Sequence, residues 1–204
     1  MNHLNLASPT VGPPVALYVH IPFCVSLCPY CDFVVYAGAA ARGPRARVDA
    51  FLDAVHAELD LRADILDRRF GTARPGLDSV YLGGGTPSLL PSESVAAILD
   101  HVRRRYGVAS GAEVSLEANP GPDEQGDMAG FAAAGVTRLS LGAQSLDDGE
   151  LRRLGRRHRA VDVETAVRAA RAGGIGSLSL DLLYDVPGGS LGTWNATSYT
   201  PIRF

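Results

Sequence analysis

The sequence lacks several features that would place the protein on a nucleic acid, in a membrane or outside the cell. It has 204 residues and a net charge of −3, and its 19 basic residues include no lysine. The negative charge gives no indication of a nucleic-acid or anionic-membrane surface, and we attribute the missing lysine to genomic base composition rather than to chemistry. No apolar run approaches the length of a membrane span, and residues 1–14 lack the basic and apolar regions of a secretory signal. We therefore expect no nucleic-acid partner and no transmembrane segment.

Cysteine is also scarce, yet all three cysteines lie in one short segment, residues 24–31, with the spacing C-x3-C-x2-C. Free thiols are typical of a reducing compartment, so we predict a cytoplasmic protein. A disulfide would leave one of the three cysteines unpaired. Three thiolates on one loop can hold three irons of a cubane [4Fe–4S] cluster and leave the fourth iron open to a substrate. A structural zinc site with His20 or Asp32 as the fourth ligand is the alternative that the spacing allows.

Apolar segments alternate with amphipathic ones along most of the chain. This alternation, without obvious hairpins, predicts βαβ units, right-handed crossovers and a parallel sheet. About five strands are too few to close an eight-stranded barrel, so we predict an α/β fold in the form of a partial parallel (β/α) barrel. The predicted strands are 15–23, 77–82, 113–117, 138–145 and 177–184, and the predicted helices cover about 48–66, 92–106, 124–134, 148–154 and 161–172.

Polar and glycine residues follow the predicted strands. The carboxyl ends of parallel strands meet on one face of a barrel-like fold, and active sites are built there. We therefore predict one site that collects side chains from the ends of all five strands. Its candidate segments are the cysteine loop, Gly83–Thr86, Glu117–Asn119, Gln144–Ser145 and, inside the fifth strand, Asp181.

The string Tyr18–Phe33, which reads Y-V-H-I-P-F-C…C-P-Y-C-D-F, resembles the radical S-adenosylmethionine (SAM) superfamily. It is most similar to the branch that contains oxygen-independent coproporphyrinogen III oxidases (HemN) and HemW-type haem chaperones. The oxidases resemble C-x3-C-x2-C-x-C, whereas Phe33 stands at the last of those positions here. Together with the run Gly155–His158 (G-R-R-H), this makes the sequence look closer to the HemW type. The resemblance implies a six-stranded partial barrel.

The same resemblance implies the cofactors and the residues that bind them. Cys24, Cys28 and Cys31 would hold a [4Fe–4S] cluster, whose electron would cleave SAM, and haem would be a further ligand. No residue receives a catalytic role, and His20 is either a core histidine or a group near the reaction centre. Carried over onto matching positions, the SAM contacts would be Tyr18, Tyr30, Gly84, Gly85, Thr86, Glu117, Gln144, Arg156 and Asp181.

Each of these residue types could contact SAM for a physical reason, and each also has an ordinary structural explanation. Glycines such as Gly84 let strand-end backbone groups approach a ligand closely, or they simply form a turn. Glu117 could pair with an ammonium group or accept from ribose hydroxyls, or it could be a surface residue. Gln144 offers both a donor and an acceptor. Arg156 could bind a carboxylate with two parallel hydrogen bonds, or belong to a solvated basic helix face.

Asp181 interrupts a strand that otherwise looks apolar. A carboxylate in a core must be paired or bound to something, so we expect Asp181 to be buried and functional. It begins the run D-L-L-Y-D-V-P-G, which resembles the family's D-L-I-Y-G-L-P-G. Asp185 replaces the glycine of that run, and we expect it to alter the turn.

We divide the chain into a disordered leader (1–14), a radical SAM partial barrel (15–190) and an atypical tail (191–204) without convincing periodicity. The sixth strand is then either absent or supplied by the tail, and we expect a truncated or frame-disrupted family member. The first functional hypothesis is a chaperone that delivers haem to an acceptor protein in haem or porphyrin metabolism. The alternatives are an oxidase that decarboxylates the propionates of a porphyrinogen and a zinc-binding module without enzymatic activity, so the sequence leaves open whether the protein is an enzyme.

Overall fold

The computed structural model describes residues 12–38 and 46–199. Most of the predicted leader and the last five residues of the predicted tail lie outside these ranges. Within them, no helix combines the length and the apolar character that crossing a bilayer requires.

Five of the strands form one parallel sheet, which confirms the predicted α/β fold. Its order from one edge to the other is β1-β4-β5-β6-β7, so the chain adds each new strand beside the previous one. A second sheet, which we did not predict, pairs β2 with β3, also in parallel. The strands are β1 (Ala16–Ile21), β2 (Phe23–Cys24), β3 (Tyr36–Ala37), β4 (Leu77–Gly84), β5 (Val108–Ala118), β6 (Arg138–Gln144) and β7 (Ser177–Leu182).

Helices connect the strands of the larger sheet, and neighbouring helices pack against one another. The first contacts the second, the second the third, and the third the fifth. The third was predicted to begin near residue 124 but begins at Met128, because the Asp127 carboxylate caps it by accepting from the Gly130 N–H at 3.0 Å. The helices are α1 (Ala46–Phe70), α2 (Ser92–Tyr106), α3 (Met128–Ala134), α4 (Asp148–Arg153), α5 (Ala160–Ala172) and α6 (Leu191–Tyr199), with a 3₁₀ turn at Pro87–Leu89.

The two faces of the sheet differ in polarity because successive side chains point to opposite sides. One row of paired residues, Val19, Leu82, Leu116, Leu139 and Leu178, crosses all five strands on the apolar face. All but the last are buried, and they join the core beneath the helices. The opposite face carries polar residues in the alternating positions, among them Tyr18, Tyr81, Glu117, Ser140, Ser179 and Asp181.

This alternation corrects our interpretation of the fifth predicted strand. In β7 the leucines alternate with Ser177, Ser179 and Asp181, so Asp181 belongs to the polar face. Its side chain is exposed rather than buried. The strand that looked apolar is amphipathic, and the argument from a carboxylate in a core was wrong.

The described part of the tail is a helix and adds no strand to the sheet. The Thr193 hydroxyl donates to the buried Glu150 carboxylate at 2.6 Å, and the Leu146 N–H donates to the buried Thr197 hydroxyl at 3.2 Å. These two threonines, four residues apart, fix one face of α6 against α4 and the loop before it. A polar face of this kind has no apolar periodicity, which is why the sequence pattern did not predict a helix. Within the described residues the larger sheet therefore has five strands, not the six that the resemblance implies.

Candidate metal and cofactor site

The carboxyl ends of the strands surround one open pocket. It encloses about 860 Å³, counting the space at its mouth. Every predicted site residue except Tyr18 lines it. Those residues are Cys24, Cys28, Cys31, Tyr30, Gly84, Gly85, Thr86, Glu117, Gln144, Arg156 and Asp181.

Backbone hydrogen bonds hold the cysteine loop (residues 24–38) against the end of β1. The Cys31 N–H donates to the Cys28 carbonyl at 3.1 Å and closes a turn between two of the thiols. The Gly38 N–H donates to the Val25 carbonyl at 3.1 Å, which extends the pairing of β2 with β3. All three cysteines are free and partly accessible. The loop therefore has a defined shape that does not depend on a disulfide.

His20 bridges β1 and the cysteine loop instead of facing the pocket. Its Nε2 lies 2.8 Å from the Val34 carbonyl oxygen and its Nδ1 lies 3.0 Å from the Tyr18 hydroxyl. A carbonyl only accepts, so Nε2 is the donor to Val34. Tyr18 also stacks on Tyr81, with ring centroids 6.1 Å apart. Tyr18 and His20 thus support the loop from outside the pocket, and His20 is neither a fully buried core residue nor a lining residue.

The glycines at the end of β4 allow the cysteine loop to approach the sheet. A Cβ on Gly84, whose φ is +117°, would lie 2.5 Å from the His20 ring, and one on Gly85 would lie 2.7 Å from the Phe23 carbonyl oxygen. The N–H groups here also serve the protein, because Gly85 donates to the Ile21 carbonyl and Thr86 to the Phe23 carbonyl. The N–H groups of this segment are thus engaged within the protein, and contact of its backbone with SAM stays a prediction. The glycines are needed for close packing of the loop.

Glu117 is held by two donors before any ligand is considered. The Tyr81 hydroxyl donates to Oε1 at 2.8 Å, and the Gly84 N–H donates to Oε2 at 2.9 Å. Burial, and then the carboxylate itself, raise the pKa of Tyr81 well above its ordinary value, so its hydroxyl keeps the proton that it donates. A carboxylate has about four acceptor positions. Two of them therefore remain for an ammonium or hydroxyl group in the pocket.

Asp181 has a weaker set of partners. The Ser140 hydroxyl lies 3.0 Å from each carboxylate oxygen and 2.9 Å from the Ser179 hydroxyl. Only one proton is available from Ser140 for these acceptors. The Asp181 carboxylate thus reaches the pocket from the edge strand with most of its acceptor capacity unused.

Within residues 12–38 and 46–199, two residues other than glycine adopt the left-handed backbone conformation. Gln144, at the end of β6, has φ +64°, and Asp185 has φ +56°. Such strain in an ordinary residue is most often found at functional positions, and the Gln144 side chain does line the pocket. Aspartate tolerates the conformation better than most residues. Asp185 therefore keeps a conformation that glycine adopts freely, and its φ gives no sign of the altered turn that we expected.

Arg156 reaches across the pocket to the cysteine loop. Its Nη2 donates to Asn119 Oδ1 at 2.5 Å and to the Gly142 carbonyl at 2.8 Å. Its Nη1 lies 3.5 Å from Cys28 Sγ and 3.5 Å from the Tyr30 hydroxyl. Burial raises the pKa of Tyr30 to about 12, against the opposing effect of the guanidinium. The sequence suggested a carboxylate contact for this arginine, but the structure places it beside a cysteine.

The histidine of the same G-R-R-H run is a structural residue. The His158 side chain is 3% exposed, and its Nε2 donates to the Ala143 carbonyl at 3.1 Å. Burial, with a smaller contribution from the Arg156 charge, lowers the pKa of His158 to about 4. His158 is therefore neutral near neutral pH and fixes the loop that carries Arg156.

Asn119 and Glu124 line the pocket, although neither was among the predicted SAM contacts. The Thr86 hydroxyl lies 3.7 Å from Cys24 Sγ, and the Asn119 amide donates to Thr86 Oγ1 at 3.2 Å and to Glu124 Oε1 at 3.5 Å. The signal for Asn119 was its place in Glu117-Ala118-Asn119-Pro120, where an amide directly follows a strand. Burial raises the pKa of Cys24, and the Thr86 hydrogen bond opposes that rise.

The donor set fits a polynuclear cluster better than a single ion. Three free thiols share one pocket, yet across residues 12–38 and 46–199 no three His, Cys, Asp or Glu side chains form a group that could hold one metal ion. His20 has both ring nitrogens engaged, and Asp32 does not line the pocket, so neither is placed as the fourth zinc ligand. The alternative of a structural zinc site has no support in this geometry.

The remaining polar groups suit a ligand that carries charges of both signs. Glu117, Glu124 and Asp181 offer carboxylates, and Arg156 and Arg157 offer guanidinium groups. The Arg156 Nε is buried and has no hydrogen-bond partner among the described residues. SAM carries a sulfonium, an ammonium and a carboxylate group, so the pocket offers an opposite charge for each.

Comparison with known proteins shows which family the chain matches. Residues 18–197 match the family described as the radical SAM superfamily. The chain is 43% identical over 183 residues to the heme chaperone HemW of Mycobacterium tuberculosis strain H37Rv, which aligns 90% of this chain with 45% of that protein. It is 38% identical over 179 residues to the heme chaperone HemW of Escherichia coli strain K12, with 88% and 45% of the two chains aligned.

A solved structure gives the same picture for the fold. The coproporphyrinogen III oxidase HemN of Escherichia coli, described as a radical SAM enzyme, superposes with a TM-score of 0.78 at 28% identity. The match covers 92% of this chain and 41% of that one. This chain therefore spans less than half the length of each of these relatives.

Proposed function

This chain belongs to the radical SAM superfamily, and from that premise we propose that it is a haem chaperone of the HemW type. The family implies a [4Fe–4S] cluster and SAM as cofactors. The observation that carries the proposal is the 43% and 38% identity to two proteins named heme chaperone HemW. An alignment of 183 residues in a chain of 204 necessarily includes the cysteine loop. Phe33, at the place of the additional cysteine in the oxidases, supports the same choice.

Cys24, Cys28 and Cys31 would hold the cluster through three thiolates, and the pocket beside them would hold SAM. When bound, the cluster would supply one electron to the sulfonium group of SAM, chemistry that belongs to the cofactor rather than to the protein. The protein's contribution is to bind, orient and exclude water. The Thr86 hydroxyl and the Arg156 guanidinium lie close to two of the sulfurs and are placed to donate to the thiolates.

The carboxylates of the pocket would orient the nucleotide. Glu117, fixed by Tyr81 and Gly84, presents its two free acceptor positions to an ammonium or ribose hydroxyl group. Gln144 can donate and accept at the end of the next strand, and Asp181 adds a second carboxylate from β7. Because Glu117 is held on both sides before binding, it loses little freedom when a ligand arrives.

Haem, an acceptor protein and a cytoplasmic role in haem metabolism are further parts of this proposal. We also propose that residues 15–190 form the radical SAM unit, with α6 packed against it. The second candidate is an oxygen-independent oxidase that decarboxylates the propionates of coproporphyrinogen, and the similarity to the HemN structure favours it. Both candidates require the same cluster and SAM.

Anaerobic reconstitution with iron and sulfide tests the shared part. We expect about four irons per chain and an absorbance band near 400 nm, and we expect both to be lost in Cys28→Ala together with SAM binding. Asp32→Ala is the matched control, because Asp32 lies beside Cys31 but outside the pocket, and it should keep the full cluster. A full-intensity cluster in Cys28→Ala, or zinc uptake that depends on Asp32, would overturn the assignment.

A turnover assay then separates the two candidates. The loaded protein is incubated anaerobically with SAM, a reductant and coproporphyrinogen III, and haem binding is measured in parallel by absorbance. The chaperone proposal expects haem binding without formation of protoporphyrinogen. Formation of protoporphyrinogen in repeated turnovers would replace the chaperone with the oxidase.

A further inference from the structure

Asn119 lies between two side chains that approach different cysteines. It follows the end of β5 and lines the pocket, but none of its hydrogen bonds reaches a sulfur. On one side its Nδ2 lies 3.2 Å from Thr86 Oγ1, and on the other its Oδ1 lies 2.5 Å from Arg156 Nη2. These three residues come from the ends of two strands and from a distant loop.

The orientation of the Asn119 amide follows from its neighbours. A guanidinium group only donates, so the oxygen of the amide must face Arg156. The nitrogen then faces Thr86 Oγ1 and, at 3.5 Å, the Glu124 carboxylate, which can only accept when ionised. The reversed amide would place two donors together at Arg156 and an oxygen against a carboxylate.

This orientation determines where the two neighbouring donors point. The Thr86 hydroxyl has one proton, and because it accepts from Asn119 that proton is left for Cys24 Sγ, 3.7 Å away. The planar Arg156 group is fixed at Nη2 by Asn119 and by the Gly142 carbonyl, which places Nη1 3.5 Å from Cys28 Sγ. Asn119 thereby sets the direction of one donor to each of two cysteines.

We propose that Asn119 is a positioning residue that directs hydrogen bonds from Thr86 and Arg156 to the sulfurs of Cys24 and Cys28. The inference rests on the proposed cluster, because its purpose is to tune a metal group bound by those sulfurs. Hydrogen bonds to cluster sulfurs change the reduction potential. Loss of such outer partners typically weakens a metal site about 10- to 100-fold.

Two substitutions separate the two hydrogen bonds of Asn119, one donated to Thr86 and one accepted from Arg156. Asn119→Ala removes both hydrogen bonds. Asn119→Asp keeps an acceptor for Arg156 but removes the donor to Thr86, whose proton can then turn to the new carboxylate instead of Cys24. Asn195→Ala is the matched control, because Asn195 is exposed on α6 and does not line the pocket.

The reconstituted variants are compared by the midpoint potential of the cluster and by the rate at which a chelator removes its iron. In Asn119→Ala we expect a lower potential and iron loss about tenfold faster. In Asn119→Asp the potential should fall at least as far, because the new carboxylate faces Glu124 and adds a negative charge near the cluster. Asn195→Ala should match the wild type in both measurements. Equal potentials and equal iron loss in the wild type and Asn119→Ala would overturn the proposal, whatever the melting temperatures.

Hydrogen exchange of the metal-free protein distinguishes failure of this inference from failure of the cluster assignment. Asn119→Ala should speed exchange of the cysteine-loop amides about fivefold, because Arg156 loses one of the bonds that fix it beside Cys28. No change in exchange would count against Asn119 even if the cluster forms. A wild-type protein that takes up no iron would overturn the proposed function, while the exchange result still decides whether Asn119 supports the loop.

Discussion

Glu117 and Asp181 are two acidic residues predicted to bind the same ligand, and the structure holds them very differently. Glu117 lies on β5, with β4 and β6 paired on either side, and two donors from β4 fix its carboxylate. Asp181 lies on β7, which has a paired neighbour on one side only within the described residues, and a single serine hydroxyl serves both of its oxygens.

The difference shows that a functional side chain is held in place mainly by its flanking strands. The two strands carry similar alternating patterns, yet three consecutive residues of β5 are buried and none of β7 is. Tyr81 and Gly84, the donors to Glu117, both belong to the strand next to β5. The centre of the sheet is therefore the preorganised half of the site, and the β7 edge is the adaptable half.

The largest expected effect is on the free energy of unfolding, and it compares a leucine of β5 with a leucine of β7. Leu116→Ala in β5 should lower the free energy of unfolding by about 3 kcal/mol, because Leu116 is fully buried and its removal leaves a cavity. Leu180→Ala in β7 is the matched control, and it should cost about 1 kcal/mol because Leu180 is only half-buried. Urea unfolding of the metal-free, reduced protein measures both values. Equal losses would remove the distinction between centre and edge.

The second prediction concerns acid sensitivity beside the sheet, where the buried His158 donates to Ala143 of β6. The pKa of His158 is about 4 in the folded protein against an ordinary value of 6.5. Because the folded pKa is lowered, the unfolded chain binds more protons between these values, and stability falls as the pH drops from about 6.5 to about 4. From about pH 7 to about pH 5 we expect a loss of about 2 kcal/mol.

His158→Gln is the variant that isolates this effect. Glutamine can still donate to the Ala143 carbonyl but does not titrate, so urea unfolding of the variant should show a pH dependence smaller by about 2 kcal/mol over the same range. An unchanged slope would assign the acid sensitivity to other groups.

The smallest effect compares the two carboxylates directly. Glu117→Gln should destabilise the metal-free protein by about 1 kcal/mol, because the Tyr81 hydroxyl then accepts from an amide instead of donating to a carboxylate, and two charge-assisted hydrogen bonds become neutral ones. Asp181→Asn should change stability by less than about 0.5 kcal/mol, since its side chain is exposed and the Ser140 hydroxyl can rotate. Thermal unfolding of the two variants measures both changes. Equal shifts in melting temperature would contradict the expected difference.

The sequence predicted the fold well because burial of apolar residues has a clear periodicity. Leu82, Leu116 and Leu139 mark their strands, and the rule that parallel strands end on one face correctly indicated that Gly84, Gln144 and the cysteines would share a pocket. The weakly apolar start of β5, residues 108–112, escaped that pattern.

Hydrogen-bond partners could not be predicted in the same way. Arg156 lies 37 residues from Asn119 and 128 from Cys28 in the chain, so no local pattern relates them. The exposure of the Asp181 side chain could not be predicted either. It depends on whether other parts of the protein cover β7, not on the residues of β7 itself. The bond from His20 to Val34, 14 residues away, likewise could not be read from the sequence, which left the role of His20 open.

The short pairing of β2 with β3 has a consequence for the order in which the protein is assembled. Together with the bond from His20 to Val34, it holds the thiol-bearing segment through backbone and imidazole contacts that need no metal. Zinc fingers, by contrast, remain unfolded until their ion arrives. We therefore expect the cysteine loop to fold before iron and sulfide are bound, and slow amide exchange of Tyr36 and Gly38 in the iron-free protein would show it.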